Sequence, residues 1–157
     1  MDPKDVIVSI RGIQQYEHSY PEVTELITTG TYTYSEGHSK LSYVDTESDS
    51  ENRPTNTTIQ IDKGRVFLSR EGAVNSQILF QEGKRNYSLY QTDVGSLMVG
   101  VGVNRMRTKL DAHGGEIELD YSIEIDHAIA GFNRFSIKIK EAMPTGSSYE
   151  TQTKLKN

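Results

Sequence analysis

Cysteine and tryptophan are both absent from this 157-residue chain, and proline occurs only four times. Without cysteine there are no disulfides, no thiolate metal sites and no cysteine nucleophile. No apolar run approaches the roughly 20 residues that a membrane span needs. The opening Met1-Asp2-Pro3-Lys4-Asp5 leads into a strand pattern without the apolar core of a signal peptide. A cytoplasmic protein is therefore expected, and the sequons at Asn56-Thr57-Thr58 and Asn86-Tyr87-Ser88 are then chance matches. Positive charge is also short, with 17 Lys and Arg against 22 Asp and Glu and a net charge of −5. That balance argues against a nucleic-acid partner, whose binding draws on Lys and Arg contacts to phosphate, and against an anionic membrane surface. Helical periodicity is almost entirely missing.

Alternation takes its place. Ile117, Leu119, Tyr121, Ile123 and Ile125 are interleaved with Glu116, Glu118, Asp120, Ser122, Glu124 and Asp126. A period of two marks a half-buried antiparallel strand. Similar runs fall at 5–16, 22–35, 39–46, 56–62, 65–70, 75–81, 84–92, 95–110, 115–126 and 132–142. Turn signals such as Ser35-Glu36-Gly37, Asp62-Lys63-Gly64 and Glu82-Gly83 separate several of them, and Asp45 to Pro54 reads as a loose polar loop. Many short strands with tight turns predict an all-β sandwich or barrel. Closure disposes of the exposed edges, which favours a barrel of about 8–10 strands. One domain over residues 1–143 is expected, followed by a mobile polar tail over 144–157.

Charge fixes the register of the last three strands. Arg134, Ser136, Lys138 and Lys140 alternate with Phe135, Ile137 and Ile139, so their basic face meets the acidic face of 116–126 when the two run antiparallel. The preceding strand poses a conflict. Leu97, Val99, Val101 and Val103 share a parity that Arg105, Arg107 and Lys109 continue. A straight strand would bury three cations, which is costly. A β-bulge near Val103-Asn104 flips the faces, turning Met106 and Leu110 inward and the cations toward Asp120, Glu118 and Glu116. The alternative is a barrel mouth lined by three cations that meet an anion.

Several motifs then fall in a characteristic order: Thr29-Gly30-Thr31-Tyr32, Thr57-Thr58-Ile59, Arg70-Glu71-Gly72, Ser76 with Phe80 and Gly83, Tyr90-Gln91-Thr92 with Gly95, and Gly115 leading to Tyr121. Over roughly residues 5–142 this resembles the YwiB-like family of small uncharacterised bacterial proteins. The resemblance implies a calycin-type β-barrel, similar in architecture to lipocalins and fatty-acid-binding proteins, and carries no established activity. Asp93-Val94 departs from it, since relatives often have Pro followed by an aromatic there.

Arg70 is the first candidate for a binding role. It continues the inward parity of Val66 and Leu68 and would offer a bidentate fork to a carboxylate or phosphate. The plainer account is a structural Arg paired with Asp or Glu, or one that snorkels outward. Ser76, Phe80, Tyr90 and Tyr121 fall on plausible inward parities and, with Tyr32 and Tyr34, would line a pocket with hydroxyl donors. A filled core whose Tyr hydroxyls reach backbone or water is the competing account. Gly100 and Gly102 share a strand face and mark a bend, with a cavity or a close backbone approach as the alternative; with no third Gly at position 105 they are not a dinucleotide fingerprint. His18, His38, His113 and His127 are scattered beside turns without metal-ligand spacing and read as solvated surface. No nucleophile elbow, P-loop, zincin motif or inward pair of acids appears, which weighs against an enzyme without deciding the point. No cofactor is implied.

The composite expectation is a cytoplasmic barrel that binds a small apolar or anionic ligand. The alternative is a structural or interaction module, a homodimer included, with a filled interior and an apolar outer patch to which Phe67, Leu79 and Leu89 contribute. An enzyme using barrel-mouth residues is a third reading, and it needs titratable groups gathered at one end.

Overall fold

A computed structural model describes residues 3–16, 19–45, 54–72, 75–92 and 95–142. Ten strands follow one another: β1 (Lys4–Tyr16), β2 (Glu22–Ser35), β3 (His38–Asp45), β4 (Thr55–Asp62), β5 (Arg65–Gly72), β6 (Ser76–Gln81), β7 (Arg85–Thr92), β8 (Gly95–Asp111), β9 (Gly114–Ile125) and β10 (Ala128–Glu141). They form one antiparallel sheet in the order β6-β5-β4-β3-β2-β1-β10-β9-β8-β7. Every pair but one joins strands consecutive in sequence; β1 against β10 brings the two ends of the domain together. The expected all-β barrel is the fold, and it is nearly closed. Among the described residues no helix is long and apolar enough to cross a membrane. The stretch 144–157 lies outside the described residues, as does most of the polar loop before Pro54.

The seam lies between β6 and β7. The turn between these strands docks on β8 instead, where Gly83 N donates to Val103 O at 3.3 Å and Val103 N to Lys84 O at 3.2 Å. Asn86 Nδ2 donates to Leu79 O at 3.2 Å, tying the two strands across the gap. The bulge expected from charge sits at the same place, with the β8–β9 register slipping between Val103 and Arg105. Beyond it Arg105, Arg107 and Lys109 face Asp120, Glu118 and Glu116, while Met106 and Leu110 pack against the core. The bulge keeps three cations out of the interior at the point where β8 loses β7 as its partner.

β10 begins earlier than its alternation shows, at Ala128 rather than 132. Two local features hide this start. The register shifts between Ile129 and Gly131, and the preceding turn places two non-glycine residues, Asp126 and His127, at φ of 51° and 71°. Positive φ at both central residues is the two-residue hairpin geometry, normally written with glycine or asparagine. Gly100 and Gly102 lie under outward side chains of β7: a Cβ at either would meet the Tyr87 ring or the Arg85 guanidinium at 2.7 and 2.6 Å.

The middle of the barrel is filled. Val6, Val8, Leu41, Ile59, Val66, Ile117, Leu119 and Ile137 are all at most 2% exposed and form one cluster. Each comes from the inward parity of its strand. At roughly 25 cal/mol per Å² of apolar surface removed from water, this cluster is the main force holding the strands together.

Candidate functional site

The two ends of the barrel differ in what they do with polar side chains. At one end, Tyr32 is fully buried, and its hydroxyl crosses the interior to donate to the Asp111 carbonyl at 2.7 Å. Burial pushes its phenol above the ordinary tyrosine range; the Ser39 hydroxyl opposes this and the Asp111 carboxylate adds to it. Lys4 Nζ and His113 Nδ1 meet Glu141 Oε2 at 2.7 and 3.1 Å around the same rim. Tyr34 lies two residues beyond Tyr32, half-buried against the core. This end is closed by side chains that have found partners.

The other end holds a cavity of about 520 Å³. Its apolar wall comes from Ile10, Leu26, Leu68, Ile78, Phe80 and Phe135. Tyr121 stands edge-on to Phe80, with ring centroids 4.9 Å apart and planes at 63°. Above this wall runs a row of inward polar side chains on four neighbouring strands. Tyr43 of β3 faces Thr57 of β4, Thr57 faces Arg70 of β5, and Arg70 faces Ser76 of β6. A second row, Gln14, Asn133 and Tyr121, spans β1, β10 and β9.

Arg70 is 34% exposed and its Nη2 stands 3.6 Å from Asp45 Oδ2. That is ion-pair distance, too long for a hydrogen bond. Burial raises the Tyr43 phenol above its usual range, and the Arg70 guanidinium beside it pulls in the opposite direction. The Thr57 hydroxyl acts on Tyr43 in the same sense as Arg70, yet its buried Oγ1 has no hydrogen-bond geometry to a partner among the described residues. Asn133 Oδ1 is the other buried side-chain atom without a partner among the described residues. Native interiors leave few such atoms, and each calls for an explanation.

Four of the residues expected to line a pocket, Arg70, Ser76, Phe80 and Tyr121, converge on this cavity. Tyr32 and Tyr34 do not; they belong to the closed end. Tyr90 lies on β7, and its side chain falls outside the described residues. Sequence reasoning passed over Tyr43, Asp45, Thr57 and Asn133. The signal for two of these is plain in retrospect. Asn133 shares the parity of Phe135, Ile137 and Ile139, and Thr57 that of Ile59 and Ile61, so each is a polar residue at an apolar position.

Among the described residues no group of His, Cys, Asp or Glu stands together in a way that holds a metal ion. His38 pairs with Asp62 and His113 with Glu141, both rings well exposed. His127 sits 6.0 Å from the Tyr87 ring. His18 lies outside the described residues.

Residues 8–137 match a family described as a domain of unknown function (DUF1934). The chain belongs to that family. A curated relative, the uncharacterized beta-barrel protein YwiB of Bacillus subtilis strain 168, is 26% identical over 104 residues, which cover 66% of this chain and 71% of the relative. The crystal structure of the ywiB protein from Bacillus subtilis aligns with a TM-score of 0.76 at 20% identity, covering 90% of this chain and 94% of that one. At that identity the likeness is one of fold. The ordered motifs of this DUF1934 member thus lead to the barrel they implied, and its open end carries chemistry that the family description does not address.

Proposed function

We propose that this DUF1934 barrel is a cytoplasmic binding protein for a small, partly apolar ligand with an anionic group, taken up at the open end. The observation that carries the reading is Arg70, which lines a cavity of about 520 Å³ and stands 3.6 Å from Asp45. The volume is in the range of about 300–1,000 Å³ typical of small-molecule sites. Its composition also fits, with an apolar wall below and a few convergent polar groups above. Function by analogy with other barrels would be a weak warrant; the support here is the geometry around Arg70.

Native mass spectrometry of freshly purified protein, followed by denaturation and mass analysis of anything released, tests the proposal. A stoichiometric acid of low mass is the expected result. A clean mass that stays unchanged in the presence of added medium-chain carboxylic acids would sink it.

A homodimer is the second reading, and one observation favours it. Leu89, Ile129 and Phe132 are 61%, 57% and 52% exposed, on β7 and β10. Phe67 and Leu79, by contrast, face one another across β5 and β6 and are only half-buried. A dimer mass lost on Leu89→Lys would support that reading.

A further inference from the structure

Asp45 puts a second charge into the cavity beside Arg70, and the two together narrow the ligand. Among the described residues, four charged side chains line this cavity: Glu25, Asp45, Arg70 and Arg134. Glu25 and Arg134 take the outward parity of β2 and β10, where Arg11 and Asp120 meet them at 3.3 and 2.9 Å. Asp45 and Arg70 take the inward one. Asp45 lies two residues beyond Tyr43 on β3 and faces Thr55 of β4, one step along the inward face from the Thr57 that faces Arg70. The guanidinium and the carboxylate thus stand 3.6 Å apart across β4, with the two side chains 34% and 18% exposed. Each keeps accessible surface and each lines the cavity, together with the apolar wall of Ile10, Leu68, Ile78 and Phe80.

A plain carboxylate bound at Arg70 would bring its negative charge against that of Asp45, and like charges repel strongly at such range in a half-buried site. A ligand that carries a cation beside its carboxylate meets both. We infer that the ligand is a free α-amino acid with an apolar side chain, its carboxylate on Arg70 and its ammonium on Asp45. The inference rests on the binding role proposed above and names the ligand class. In an α-amino acid the two charged groups hang from one carbon, so they match a guanidinium and a carboxylate that are neighbours. The four charges then alternate around one cluster, and the Arg70–Asp45 pair is kept rather than broken. Both ligand contacts are charge-assisted, the stronger kind of hydrogen bond. The side chain extends from the same carbon onto the apolar wall, which favours a body like that of leucine or phenylalanine. An amine alone would set its positive charge against Arg70, the mirror of the penalty on the acid.

The test is calorimetric titration with L-leucine and L-phenylalanine, each set against the acid that lacks its amino group and the amine that lacks its carboxyl group. In the better-fitting set the amino acid is expected to bind about tenfold or more tighter than either analogue, as one hydrogen bond to a charged group gives. Asp45→Asn is expected to bring the acid level with the amino acid, and Arg70→Gln to weaken the amino acid and the acid together. An acid that binds the unmodified protein as tightly as its amino acid overturns the inference and leaves the binding role standing, and this comparison needs no variant to fold. A gap that survives in folded Asp45→Asn also overturns it. An amine that matches its amino acid removes Arg70 from the site and overturns both readings. If neither the amino acids nor the acids bind at millimolar concentration, the binding role falls as well.

Discussion

The closed and open ends of the barrel are built from the same strands with the same inward parity, yet they treat polar side chains in opposite ways. At the closed end Tyr32 spans the interior to a carbonyl, and Glu141 collects Lys4 and His113. At the open end Thr57 Oγ1 and Asn133 Oδ1 are buried without a hydrogen-bond partner among the described residues, and Arg70 stands off from Asp45 at 3.6 Å. A buried hydrogen bond adds little net stability, but a buried group left unmet costs roughly 1–3 kcal/mol. One end therefore contributes to stability, whereas the other leaves polar atoms unmet at some expense to it.

The largest effect is expected at the closed end from Gly115→Ala. Gly115 has φ +142°, and a Cβ there would fall 1.9 Å from the Lys109 carbonyl oxygen. Backbone must move, so a loss of about 3 kcal/mol or more in denaturant unfolding is expected. Tyr32→Phe comes next. Losing the hydroxyl strips the Asp111 carbonyl of its donor and is expected to cost about 1–2 kcal/mol. Asn133→Leu should behave in the opposite sense, neutral or stabilising by up to about 1 kcal/mol, because it removes an unmet group. A destabilisation as large as that of Tyr32→Phe would erase the contrast between the ends.

Alkaline pH probes both ends together. Burial raises the phenols of Tyr32 and Tyr43 above the ordinary value of 10.0. A raised folded-state value favours the protonated, folded form. The contribution is whole below pH 10 and is lost as pH climbs through the folded-state values. Melting temperature is thus expected to fall above pH 10, and less steeply in Tyr32→Phe and in Tyr43→Phe than in the unmodified chain. A slope unchanged in both variants would remove tyrosine burial as the cause. The smallest effect concerns the closed rim at acid pH. The hydrogen bond from Lys4, then that from His113, holds the Glu141 carboxyl below its usual 4.5. The sign is reversed here: the contribution is present above that value and lost as pH falls through the lower folded-state one. Lys4→Ala is expected to flatten this part of the stability profile slightly, and the difference should shrink in high salt because the groups are exposed.

The long strands were legible in the sequence because alternation is local. The bulge was legible too, since Arg105, Arg107 and Lys109 conflict with Val99, Val101 and Val103 on one parity. The start of β10 was not, because Asp126-His127 carries no glycine signal and the register slip near Ile129 breaks the alternation. For the candidate site the reading was divided. Arg70, Ser76, Phe80 and Tyr121 line one cavity. Tyr32 and Tyr34 share their inward parity but stand at the far end. Parity reports which face a side chain takes and is silent about its height along the barrel. That height depends on how far each strand is staggered against the next, a property of the closed sheet.

The sequence by itself determined the strand set, the inward and outward faces, the bulge and the paired charges of β8, β9 and β10, because each follows from a period of two and from the cost of burying a cation. Only the tertiary structure decided that Tyr32 plugs one end against Asp111, that the β6–β7 turn closes onto Val103, and that Arg70 and Asn133 share one cavity from opposite walls. Those relations join residues far apart in the chain. They are fixed by the stagger and curvature of ten strands closing together, which no local pattern of residues contains.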